Sequence, residues 1–218
     1  YSDIASIVER ECGVPVFSTT PINAALYHVR NLQRSAGHML IIHPGIVLEF
    51  GIMISGSIPT NARETEKSFS HICVDENGPL CYCGKKGCLE HYVTHAAITD
   101  MLKAESRKDA ITEEYPFNDG LKRGIPGYLR TAEIVSDSLA RSIAQFCRQS
   151  KIEAVNLFGM PDFLASSIIE KLKKNDGREM FLSIFRQINI ARASSLMAAF
   201  EVIRNFEKTE SVQQLTDN

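Results

Sequence analysis

The chain has 218 residues, with 24 Lys and Arg against 26 Asp and Glu, a formal charge of -2, and 44% hydrophobic residues. That much apolar material offsets chain entropy and excludes intrinsic disorder, while the near-neutral charge argues against nucleic-acid binding by this chain itself. No run of about 18 uncharged apolar residues occurs: the longest apolar region, Met39 to Ile54, is broken by Pro44, Gly45, Glu49 and Gly51, so no membrane span is expected.

In chain order, Ser2 is placed to cap a helix running to about Cys12, with Ile4, Ile7 and Val8 on one face and Gly13 as its stop. Val14 to Ser18 reads as a short strand. Ile22, Ala25, Leu26 and Val29 repeat at helical spacing up to about Arg34. Met39 to His43 and Ile46 to Ile54 are buried-strand candidates. Residues 55 to 68 read as a polar connection, and Phe69 to Val74 as a strand. Leu89 to about Glu105 is a predicted helix with Leu89, Tyr92, Val93 and Ala96 on one face. The charged, Gly- and Pro-containing stretch 106 to 127 predicts a loop with short helical pieces. Arg130 to Ser150 is a long amphipathic helix carrying Ile134, Val135, Leu139, Ile143 and Phe146. Ala154 to Phe158 is a strand ending at Gly159, and Asp162 caps a helix through Lys174. Met180 to Phe185 is a strand or short helix, and 193 to 207 a last helix before a fraying polar tail. Alternating strands and helices indicate an α/β fold. The first residue is Tyr1, and the opening reads like the middle of a protein, so a fragment or processed product is expected.

Six cysteines are present, and Cys81, Cys83 and Cys88 fall inside one short segment. A disulfide framework would spread its cysteines along a small secreted chain. Clustering within an ordinary composition favours a metal, and Zn²⁺ takes three thiolates and one imidazole in a tetrahedron. Gly84 and Gly87 allow the tight turns that converge the sulfurs, and Lys85 and Lys86 offset their charge. His71 is the first choice for the fourth ligand, with His91 and His95 as competitors. The alternative is a reducing-compartment loop with unligated thiols. Cys73 is a weaker ligand, expected to alternate with His71 on a strand; Cys12 and Cys147 are expected to be buried as small apolar groups.

The string Cys81-Tyr-Cys83-Gly84-Lys-Lys-Gly87-Cys88-Leu89-Glu90, with His71 ten residues upstream, resembles the zinc motif of the ROK family of repressors, unassigned reading frames and sugar kinases. Gly13-Val-Pro15-Val16 followed by Asn23-Ala24-Ala25 resembles the family's segment around its catalytic Asp. Asn156-Leu-Phe-Gly159 is similar to its late nucleotide-contact strand, and Met197-Ala198-Ala199 to its terminal helix. The resemblance implies the actin-like, ribonuclease-H-like ATPase fold. On that fold, 1-37 is the remnant of a first lobe, 38-192 a second α/β lobe with the knuckle at 71-90, and 193-218 a terminal helix returning to the first lobe plus a frayed tail. The family's first half-lobe, and the winged-helix DNA reader of its repressor branch, would lie before Tyr1.

Departures from the family pattern bear on activity. The resemblance puts Thr19, Thr20 and Pro21 at the triplet that holds the kinase base, and Pro21 cannot accept a proton. The Gly-rich phosphate turn falls on Val47-Leu48-Glu49-Phe50-Gly51, of which only Gly51 survives. Glu49 would also repel a polyphosphate by roughly 4 kcal/mol at ~4 Å and an effective dielectric of ~20. A sugar-contact Glu of the family becomes Ser68, whereas Glu90 and His71 persist. In the family this His binds zinc and touches the sugar through its other nitrogen. Glu90 has a second explanation, since an acid in a helix's first turn is favoured by the dipole.

Three readings follow. The first is the effector-binding and oligomerisation region of a ROK-type transcriptional regulator without kinase activity. It would be a cytoplasmic homodimer or higher homo-oligomer with no membrane contact, zinc as cofactor and no catalytic residue. Its sugar or sugar-phosphate effector would contact Glu90, His71 and Ser68 and shift a hinge between lobes. DNA would be reached only through a domain outside this chain. The second reading is an ATP-dependent sugar kinase, and the third a zinc-stabilised scaffold.

Overall fold

The structure is a computed structural model that describes residues 2–14, 16, 20–33, 37–59, 62–109, 116–176 and 181–185. The chain divides into two compact units, Tyr1–Ser35 with Ile188–Asn218, and Ala36–Gln187. The expected strand at Val14 to Ser18 falls largely outside the described residues, and the expected helix 193 to 207 wholly outside them.

In the first unit, α1 (Ser2–Cys12) ends at Gly13, whose φ of 65° lets its N–H reach the Glu9 carbonyl at 2.9 Å. Ile4, Ile7 and Val8 are exposed, and so is Cys12, contrary to its expected burial. The helical period had placed that cysteine without saying which side of the helix is covered. Helix α2 (Pro21–Gln33) starts at a proline, and Thr20 caps it: the Asn23 N–H donates to Thr20 Oγ1 at 3.3 Å. Ile22, Ala25, Leu26 and Val29 are buried, as their spacing predicts.

The second unit is built on a four-stranded mixed sheet of order β2-β1-β3-β4. Strands β1 (Met39–Pro44) and β2 (Leu48–Met53) form an antiparallel hairpin, while β3 (Ala154–Phe158) and β4 (Phe181–Phe185) lie parallel to β1. Ile46 and Val47 are the exposed tip of that hairpin and not part of a buried strand. Gly45 tightens the tip through its N–H to the Val47 carbonyl. The central strands are largely apolar on both faces; their fully buried polar residue, Asn156, donates to the Leu40 carbonyl at 3.0 Å.

Helix α3 (Ala62–Ser70) replaces the polar connection and the strand expected at Phe69. Its sequence is rich in strong helix formers and offers little apolar periodicity. Phe69 is fully buried, stacked on Phe50 at 4.4 Å and edge-on to Phe146 at 5.7 Å. The predicted helix at Leu89 to Glu105 is two helices, α4 (Glu90–Val93) and α5 (His95–Asp109). The break lies at Thr94 (ψ 158°), because the His95 N–H leaves the helical ladder for the Gly45 carbonyl at 2.9 Å. Thr94 Oγ1 accepts the Ala97 N–H and donates to the Glu90 carbonyl, closing one helix and opening the next. Ala96 is consequently exposed.

Helix α6 (Phe117–Lys122) precedes α7 (Pro126–Ser150), which starts on a proline and ends at Lys151 in the left-handed region. Val135, Leu139, Ile143 and Phe146 of α7 are buried and Ile134 faces solvent. Cys147 is buried. Helix α8 (Asp162–Asp176) packs along α7, with Asp162 as its first helical residue and not its cap.

Candidate metal centre and ligand face

The knuckle is assembled by backbone pairing. Past the end of α3, Ile72 to Val74 runs antiparallel to Gly87 to Leu89, with bonds from the Val74 N–H to the Gly87 carbonyl and from the Leu89 N–H to the Ile72 carbonyl, both 2.8 Å. His71 and Cys73 therefore do not alternate on a strand: His71 terminates a helix, and Cys73 pairs with Cys88 through the backbone, exposed and outside the cluster. Residues 80 to 86 form the turn between, held by the Cys81 N–H to the Lys85 carbonyl at 2.7 Å and the Gly84 N–H to the Cys81 carbonyl at 2.9 Å. Gly87 has no room for a side chain. With φ at 60°, a Cβ there would lie 1.6 Å from the Asp75 carbonyl oxygen. Tyr92 on α4 donates to Asp75 Oδ2 at 3.1 Å and pins the outer loop.

This frame brings His71, Cys81, Cys83 and Cys88 together, with one ligand atom from each within 4.8 Å of the others. His71 Nδ1 is 3.4 Å from Cys81 Sγ, and Cys83 Sγ is 3.6 Å from Cys88 Sγ. Tetrahedral Zn²⁺ with Zn–S ~2.3 Å and Zn–N ~2.0 Å requires N···S near ~3.5 Å and S···S near ~3.8 Å. The donor set therefore fits zinc in type, and its two close pairs fit in spacing. Burial, then hydrogen bonding to the two neighbouring thiols, pushes Cys88 up to about 12. A hydrogen bond from the Lys85 backbone lowers Cys83. A divalent ion would offset the charge of three thiolates held this close. His91 and His95 lie on α4 and α5 and are not in the cluster.

Two further features adjoin the knuckle. Glu90 opens α4, is half-buried, and its Oε2 is buried with no hydrogen-bond partner. His71 Nε2, facing away from the sulfurs, meets the Tyr82 hydroxyl at 3.0 Å. Ser68 lies on the last turn of α3, three residues before His71, and is exposed.

The hairpin provides a second locus. Glu49, opposite His43 in register, holds its Nδ1 at 2.7 Å. The expected bare negative charge at Glu49 is thus faced by an imidazole. The other side of that ring packs on Gly159, where a Cβ would come within 2.8 Å of His43 Nε2, and on Phe158. Beside it, past the carboxyl ends of β1 and β3, opens a pocket of about 590 Å³ lined mainly by apolar groups including Pro44, Ile98, Leu102, Tyr128 and Met160. Carboxyl ends of parallel strands are where open α/β sheets bind ligands. That rule, applied to Pro44 and Gly159, could have found this pocket from the sequence, as Thr20 before Pro21 could have given the cap of α2.

Residues 1–175 match the model of the ROK family. The chain is 28% identical over 108 residues to the xylose repressor of Bacillus spizizenii, covering 49% of this chain and 28% of that protein. It is 22% identical over 198 residues to a putative xylose repressor of Caldicellulosiruptor sp., covering 84% and 49%. It is 30% identical over 126 residues to a glucokinase of Streptomyces coelicolor, covering 55% and 39%. The chain thus spans half or less of the length of these relatives. Among solved structures, a ROK hexokinase from Thermus thermophilus superposes with TM-score 0.75 at 19% identity, over 92% of this chain and 70% of that one. A ROK family transcriptional regulator homologous to the E. coli MLC protein also gives 0.75, at 18% identity over 90% and 55%. The chain belongs to the ROK family and has the α/β, actin-like ATPase fold of its sugar kinases and regulators.

Proposed function

We propose that this chain is the effector-binding and oligomerisation region of a ROK-type transcriptional regulator that does not phosphorylate sugars. The observation that carries the reading is the start of α2. Where the family resemblance puts a proton-accepting carboxylate, the chain has Thr20 as a helix cap and Pro21 as the first helical residue. Neither residue can act as a general base at neutral pH. The Glu49–His43 pair supports it, because a carboxylate occupies the hairpin position assigned to a phosphate-binding glycine.

The ligand face retains the chemistry for a polyol. The zinc site, held by His71, Cys81, Cys83 and Cys88, fixes the imidazole, and the unpartnered Oε2 of Glu90 offers a buried acceptor for a sugar hydroxyl. Ser68 is a third contact. Zinc here is a structural ion that shapes this face. The protein functions as a homodimer or higher homo-oligomer in the cytoplasm, and reaches DNA through a domain outside this chain. Among the described residues no helix is long and apolar enough to cross a membrane.

The experiment is calorimetry of the zinc-loaded protein against D-xylose, D-glucose and glucosamine 6-phosphate, alongside an ATP-consumption assay with the same compounds. Binding of at least one compound without ATP turnover is expected. Turnover that disappears in Glu90→Gln would replace this account with the second reading, an ATP-dependent sugar kinase. That reading is favoured by the glucokinase likeness.

A further inference from the structure

Tyr82 sits between two of the knuckle's cysteines, and packing does not account for it: the residue is 80% exposed. Its hydroxyl oxygen nevertheless lies 3.0 Å from His71 Nε2, and its ring meets the imidazole edge-on at 4.9 Å and 78°. His71 points Nδ1 at Cys81 Sγ. Ligation through Nδ1 leaves the proton on Nε2, which then donates to the Tyr82 oxygen. Glu90 Oε2, however, remains without a partner.

We propose that Tyr82 is a built-in occupant of the ligand face: its hydroxyl holds the free nitrogen of His71 in the empty protein, and a polyhydroxy ligand binds only by displacing it. The proposal rests on the sugar-binding reading above and adds the residue that sets affinity and selectivity.

The exchange has a direction. A polyhydroxy ligand carries hydroxyls both to accept from His71 Nε2–H and to donate to Glu90 Oε2, whereas the phenol satisfies the imidazole and leaves the buried carboxylate oxygen unpaired. Pairing that oxygen favours the ligand. The exposed ring loses little apolar contact when it swings into water. In the empty protein the phenol orients the imidazole, as outer partners of metal-bound histidines generally do. A ligand without several hydroxyls does not make both contacts and does not dislodge it.

The test compares the zinc-loaded full chain with Tyr82→Phe, both at saturating zinc. The readouts are hydrogen exchange at His71 Nε2–H by ¹H–¹⁵N NMR and calorimetry with D-xylose, D-glucose and glucosamine 6-phosphate. Expected in the variant are clearly faster exchange at Nε2 and ligand binding about fivefold tighter, the equivalent of one ordinary hydrogen bond. Unchanged exchange overturns the proposal whatever the sugars do. So does weaker ligand binding in Tyr82→Phe, which would make the phenol part of the pocket. Faster exchange with silence toward all three compounds in both proteins upholds Tyr82 as the imidazole's occupant and sinks the sugar reading instead.

Discussion

Gly87 shows how tightly single residues define this knuckle. Its φ of 60° and the 1.6 Å approach of the Asp75 carbonyl to a would-be Cβ admit no side chain. Gly87→Ala is predicted to cost roughly 3 kcal/mol or more, seen as a lowered denaturation midpoint and loss of bound metal. Cys88→Ser removes a buried ligand, and zinc content should fall from about one per chain to near zero. Tyr92 gives a pH prediction. Burial first, then its bond to Asp75, raise its phenol from 10.0 to about 12. The raised folded-state value means the contact stabilises fully below about pH 10 and is lost as pH rises through about 12. Alkaline unfolding followed by circular dichroism should lose that step in Tyr92→Phe. The cysteine spacing and the glycines between them were legible because three candidate ligands lie within one short segment, a density that an ordinary composition does not produce by itself. Tyr82 was not legible, since an exposed aromatic between two cysteines carries no sequence pattern until its hydroxyl is seen on His71.

At the scale of elements, β1, β3 and α7 were readable, the two strands from unbroken apolar runs and the helix from a long apolar period. Helix α3 was not, because its sequence ARETEKSFS sets one large apolar side chain among polar and charged ones. That side chain, Phe69, ties α3 to Phe50 of β2 and Phe146 of α7, and so positions His71 just beyond the helix end. Phe69→Ala should destabilise by about 3–5 kcal/mol and weaken zinc binding in the same preparation, measurable by chelator competition. The break at Thr94 was equally hidden. It depends on a carbonyl at Gly45, fifty residues earlier in the chain, that takes the His95 N–H. Local propensity cannot report a partner that only the folded sheet supplies. Thr20, by contrast, carries its information locally. Thr20→Ala is expected to cost about 1 kcal/mol of stability by leaving the start of α2 uncapped.

For the whole molecule, the fold class was legible from alternation of elements and from one motif, and the family match covers residues 1–175. Which branch of the family the chain serves depends on a few substitutions on a shared frame, because fold alone does not set function. On this account the face beside the knuckle, within the second unit, keeps its shape through an ion that His71, Cys81, Cys83 and Cys88 would hold. The most direct measurement is zinc K-edge X-ray absorption on the purified protein together with its metal content. The account predicts about one zinc per chain, with three sulfurs at ~2.3 Å and one nitrogen at ~2.0 Å. A metal-free protein with an intact fold, or an ion bound without sulfur, would contradict it.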